Sequence, residues 1–161
     1  MSQQNAGQMP QPANTLQARV GGGRLGAIDP AAIAKAEAAL RSLAGNFSQW
    51  LADELAKLEA SRGQVKAVGM TAETMENLYL RAHDLKGLGT TYGYQLITRI
   101  AGSLCRLIDE KEKRITAPLD LIDAHIDAIK ACVRDEIKSD EHPVGSILVQ
   151  ELEGRVKAMG Y

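Results

Sequence analysis

The stretch Ala82-His83-Asp84-Leu85-Lys86-Gly87-Leu88-Gly89-Thr90-Thr91-Tyr92-Gly93 carries the residues whose types and spacing could do chemistry. A neutral imidazole is a nucleophile near neutral pH. If the segment is helical, Lys86 stands one turn from His83 and puts a cation beside that nucleophile. Gly87 and Gly89 interrupt an otherwise helical pattern, each at a cost of about 1 kcal/mol relative to Ala. A sequence that accepts this beside a histidine has a use for the missing side chains. On a helical wheel, Met75, Leu78, Ala82, Leu85 and Gly89 face inward. His83, Gly87 and Thr90 then lie on the flank, with Lys86 between them and the core. Gly89 lets a neighbouring helix approach, and Gly87 leaves a clear space beside the imidazole for something to dock.

The elements that must position this stretch all read as helices. Residues 1–28, rich in Gln, Asn, Gly and Pro, are expected to form a flexible tail, with a helical bundle over 29–161. Asp29-Pro30 is an N-cap followed by Pro at the first helical position, with Ile28 and Ile33 spaced as a hydrophobic staple. Ile33, Leu40, Phe47, Leu51, Leu55 and Leu58 form a helical stripe. Gly45-Asn46 is expected to bend or split it, and Arg62-Gly63 to end it. The next helix starts at Thr71, with Met70 and Met75 as its staple, and Gly93 is placed to close it. Another follows through Ile97, Ile100, Ala101, Leu104 and Ile108, running out into a charged, solvated end at Asp109-Glu110-Lys111-Glu112-Lys113-Arg114. Thr116 and Pro118 open a helix with Leu119, Ile122, Ile126, Ile129, Val133 and Ile137 inward. A last helix is expected from about Val144 to Met159. No segment alternates as a strand does. The predicted class is all-α, an up-and-down antiparallel bundle with a four-helix core and additional N- and C-terminal helical segments.

Composition removes other classes. The 161 residues are 45% apolar, with a formal net charge of −1. That gives no field for gripping nucleic acid or an anionic membrane. No apolar run approaches the ~20 residues that span a bilayer, and no signal-peptide pattern opens the chain. Cys105 and Cys132 sit in apolar helical patterns, as small buried hydrophobes of a reducing compartment do. No Cys/His cluster has zinc-ligand spacing. A cytoplasmic protein with no nucleic-acid or membrane partner is expected.

His83-Asp84-Leu85-Lys86-Gly87, followed by Gly89 and Gly93, resembles the His-x-x-Lys-Gly motif of the histidine-containing phosphotransfer (HPt) family. Ile97, Ile100, Ala101, Leu104 and Leu107 resemble that family's next helix. The stretch from His83 through Glu110 looks like the phosphotransfer domain of bacterial chemotaxis-type kinases, and the likeness spans about 29 to 138. The resemblance implies that His83 accepts a phosphoryl group in a two-component phosphorelay. Lys86 would keep the ring nucleophilic by like charge and then hold the phosphoryl oxygens. Gly87 would admit the partner's active site. The partners implied are response-regulator receiver domains and a hybrid histidine kinase. Magnesium and the aspartate belong to the receiver, so this chain would need no cofactor or metal of its own. It would be a phosphoryl carrier and not an enzyme. Many relatives carry an acidic residue about where Cys105 stands, a residue that orients the imidazole or supports its phosphorylation by a kinase. Exchange with a receiver is therefore expected ahead of direct phosphorylation.

Other readings are weaker. His125 lies near an inward helix face, and His142 precedes Pro143 at a helix start; both read as structural. Tyr79, Tyr92 and Tyr94 read as bundle packing, with Tyr79 near the flank of His83. Phe47 and Trp50 read as core or a lid over it. His83-Asp84 is literally the pair of a metal-dependent HD phosphohydrolase, but no His precedes His83 to complete such a site. The alternative to a carrier is a scaffold that keeps the bundle, transfers nothing and binds signalling partners by its exposed faces; such a scaffold has no need of His83, Lys86 and Gly87 together.

Overall fold

A computed structural model describes residues 28–161. They form five α-helices and one short 3-10 turn, with no strand among the described residues: α1 Pro30–Val68, α2 Ala72–Leu88, α3 Gln95–Leu107, the 3-10 turn Arg114–Thr116, α4 Leu119–Arg134 and α5 Pro143–Ala158. The all-helical bundle expected from periodicity is what the chain adopts. No described helix is long and apolar enough to cross a membrane. The chain divides into two units, Met1–Ser42 and Leu43–Tyr161. The expected tail, apart from Ile28, lies outside the described residues. Within the first unit, 30–42 are the opening turns of α1. The core and the candidate site lie in the second.

Asp29 caps α1 as expected: its Oδ1 accepts from the Ala31 N–H at 3.1 Å, and its carbonyl from Ala32 and Ile33. The staple does not form a buried pair, since Ile28 is 68% and Ile33 43% exposed. Two further expectations fail here. Gly45-Asn46 does not split the helix, and Arg62-Gly63 does not end it. One exposed glycine costs a helix about 1 kcal/mol, too little to break a run of good formers. At Gly63 a tertiary tie opposes that cost. The 7%-exposed Arg62 donates to Glu59 and, at 2.6 Å, to Asp127 of α4. The helix stops instead at Val68, where Gly69 adopts φ +104. The inward stripe is real at Leu51 and Leu58, while Leu40, like Ile33, is exposed.

α2 opens on a reciprocal box. Thr74 N–H donates to Thr71 Oγ1 at 3.1 Å and Thr71 N–H to Thr74 Oγ1 at 2.9 Å, satisfying two donors left free at a helix start. Met75, Leu78, Ala82 and Leu85 are fully buried. α2 ends at Leu88, five residues short of Gly93. Gly93 is left-handed, φ +81, but it belongs to the turn after the helix, closed by Tyr94 N–H on the Gly89 carbonyl at 2.8 Å. α3 is the central element, packed against α2, α4 and α5, and Ile97, Ile100, Ala101, Leu104 and Ile108 are all fully buried. Arg99 ties it to α5 through Glu153 and to the preceding loop through Asp140.

The charged run after α3 is exposed from Asp109 to Lys113, but its last residue is not. Arg114 is 3% exposed, held by Glu76 of α2 and by the Asp109 carbonyl. Its two fixed acceptors offset the desolvation that would otherwise keep a guanidinium in water. Both cysteines are free and buried, and burial pushes each thiol up to about 11.

Candidate functional site

α2 presents its chemistry on the flank away from its buried stripe. His83, Lys86 and Gly87 are exposed while Ala82 and Leu85 beside them are fully buried. A Cβ on Gly87 would meet nothing within 4 Å, so the space beside the imidazole is open. Gly89 is the opposite case. A Cβ there would stand 2.8 Å from Thr98 N and 3.0 Å from the Tyr94 carbonyl oxygen, so its missing side chain lets α3 begin against the end of α2. The two glycines therefore do the different things their helical phases imply, one clearing a surface and one closing a core. Thr90, expected on the helical flank with His83, falls beyond α2 instead. Its N–H donates to Thr98 Oγ1 at 2.9 Å and pins the turn to α3.

Lys86 reaches sideways, its methylene stem lying over Gly102 of α3. Among the described residues its ammonium makes no ion pair, leaving its charge available to an anion beside His83. It also sits in the last turn of α2, where carbonyl oxygens make the environment negative.

Across on α3, Cys105 is 4% exposed. Burial raises its thiol to about 11, with Lys86 opposing and Asp109 adding to the effect. It is a neutral packing residue. The ring of Tyr79 lies against His83, centroids 6.0 Å apart. Tyr79 in turn donates to Asp109 Oδ1 at 3.1 Å and lies under the Arg114 guanidinium, 4.6 Å from its ring centroid. Asp109 and Arg114 were hidden by the charged run that contains them. The signal that could have found Arg114 is Glu76, an acid facing it from the start of α2.

The other histidines are occupied. His125 is fully buried, with Nδ1 2.7 Å from the Leu121 carbonyl oxygen and Nε2 2.9 Å from Ser103 Oγ. A carbonyl only accepts, so Nδ1 carries the proton and Nε2 accepts from the serine hydroxyl. Burial, the largest influence, holds its pKa below the ordinary histidine value. His142 caps α5, its Nδ1 accepting from Val144 N–H at 3.2 Å. Among the described residues no group of three or more His, Cys, Asp or Glu is placed to hold a metal. A cleft of about 460 Å³ lies elsewhere, lined by Phe47, Leu51, Tyr92, Tyr94 and Val133 among others. Phe47 packs edge-on against the half-exposed Trp50 beside it.

No protein-family model matches this chain, nor does any curated protein or solved structure.

Proposed function

We propose that this chain is a phosphoryl carrier: a helical bundle that takes a phosphoryl group on one exposed imidazole and surrenders it to another protein. More narrowly, we read it as a histidine-containing phosphotransfer protein of a two-component phosphorelay, with His83 as the acceptor. The observation that carries this reading is the conjunction on one flank of α2. An exposed His83, the open space at Gly87 and the free cation of Lys86 stand together on a helix fixed at both ends.

The chemistry asks little of such a surface. The lone pair of the unprotonated ring nitrogen attacks the phosphorus of a receiver's aspartyl phosphate. An N–P bond forms, the O–P bond breaks, and its electron pair leaves on the aspartate carboxylate. The proton on the other ring nitrogen is then released to solvent. Catalysis is positioning and charge neutralisation, most of it supplied by the receiver and its magnesium. On the carrier's side Lys86 faces the moving charge, and Gly87 keeps the approach clear.

The test is timed transfer from a phosphorylated receiver domain to the wild-type chain and to His83→Gln. The wild type should gain acid-labile phosphate and the variant none. Its stability should change by under about 1 kcal/mol, because the side chain is exposed. Labelling retained in the variant would move the acceptor elsewhere. A wild type that no receiver labels would leave a binding scaffold as the better reading.

A further inference from the structure

Fast transfer requires the imidazole of His83 to meet its partner in one orientation, yet among the described residues no hydrogen bond holds either ring nitrogen. What stands against the ring is Tyr79, one turn earlier on α2. The centroids are 6.0 Å apart and the planes inclined by 37°, inside the ~4.5–7 Å window in which aromatic pairs attract.

Tyr79 is itself held from several directions. Its hydroxyl donates to Asp109 just past the end of α3. That bond, with burial adding, holds the phenol protonated above its ordinary value, so it remains the donor. The Arg114 guanidinium lies over its ring, and Arg114 is buried, paired with Glu76 and bonded to the Asp109 carbonyl. One arginine thus joins α2, the end of α3 and the tyrosine into a single fixed unit. A tyrosine needed only to fill a partly solvated flank would not require this bracing.

We propose that Tyr79 is the positioning residue for His83: its ring, clamped by Asp109 and Arg114, restricts the imidazole to one orientation, as a hydrogen bond to a ring nitrogen would. The proposal rests on His83 being the phosphoryl acceptor. It also accounts for how the site works with a neutral, buried Cys105 on the facing helix.

Two measurements separate this from a packing role. The first needs no phosphoryl chemistry. In the free protein, side-chain couplings and ring NOEs by NMR should show His83 in one χ1 rotamer, and Tyr79→Leu should release it into averaging. The second compares two donors. Phosphoramidate, whose P–N bond breaks to release ammonia as the His83 N–P bond forms, requires no docking and should label both proteins at the same rate. Transfer from a saturating phosphorylated receiver should fall about tenfold or more in Tyr79→Leu, toward the ~10²-fold that a displacement of about 1 Å costs. The half-saturating receiver concentration should stay unchanged.

Tyr79→Phe keeps the ring and loses the bond to Asp109, so it should lie between the two. If circular dichroism shows that Tyr79→Leu does not fold, the comparison of Tyr79→Phe with wild type decides the matter by the same readouts. An unchanged His83 rotamer or undiminished receiver transfer in a folded variant overturns the proposal. A wild type labelled by neither donor removes the acceptor reading, and the rotamer measurement still decides whether Tyr79 orients the ring.

Discussion

The side chain of Lys86 on α2 lies across Gly102 on α3. Its Cγ, Cδ and Cε are 3.8 to 3.9 Å from where a Cβ on Gly102 would stand. The stem of a long cation is thereby held against a neighbouring helix while its charged end is free, an arrangement that reduces the freedom lost when the ammonium engages an anion.

Lys86→Ala should therefore slow phosphoryl transfer without abolishing it. Loss of one electrostatic donor from an enclosed site costs about 10²-fold or more, and an exposed lysine should cost less. Single-turnover transfer rates and a thermal melt check this together. Unchanged kinetics with lowered stability would make Lys86 only a partner for the negative end of its helix.

Gly87 and Gly89 should respond to alanine with opposite signs. At Gly87 the space is open and the backbone helical, so Gly87→Ala should stabilise by roughly 0.5–1 kcal/mol. At Gly89 the added Cβ would run into backbone atoms of Thr98 and Tyr94, and Gly89→Ala should lower the melting temperature. Gly87→Gln should melt no lower than wild type yet lose most of its transfer from a receiver. Full activity in that variant would end the docking role.

The pair His125–Ser103 gives a pH dependence whose sign can be worked out. Burial depresses the folded-state pKa of His125 below the unfolded value of 6.5. Below that value the unfolded chain binds the extra proton and the folded chain resists it. The contribution of His125 to stability is thus intact above pH 6.5 and is lost as pH falls toward the folded-state pKa. Urea midpoints from pH 7.5 down to about 5 should decline, and the decline should be shallower in His125→Gln. An identical slope in the variant would assign the effect to other groups.

Arg62 ties α1 to α4. Arg62→Ala removes charge-assisted bonds to Glu59 and Asp127 and should cost about 1.5–3 kcal/mol. Denaturant unfolding measures it. A loss under about 0.5 kcal/mol would show that the tie behaves as an ordinary exposed ion pair.

Much of this was legible because it rests on periodicity. The inward faces of α2 and α3, from Met75 to Leu85 and from Ile97 to Ile108, follow from spacing alone, as do the caps at Asp29 and Thr71. The separation of Gly87 from Gly89 was also readable, since positions two apart in a helical run face about 200° apart. What misled were features decided by tertiary contacts. Gly63 looks like a stop until Arg62 is seen to reach Asp127. Arg114 looks solvated until Glu76 and the Asp109 carbonyl are found around it. Ile33 and Leu40 continue a stripe whose burial begins only farther along the helix, and spacing cannot say where a partner surface starts.

The reciprocal threonine box at one end of α2 and the close backbone approach at Gly89 at the other fix the backbone of the His83 face, so no segment of it must fold when a partner arrives. Encounter would then be a match between preformed surfaces, limited by diffusion and orientation more than by a conformational step. A face with a fixed backbone offers every visitor the same terrain. If several receivers use it, they compete for one footprint, and fidelity among signalling routes would have to be written into the receivers' abundance and shape.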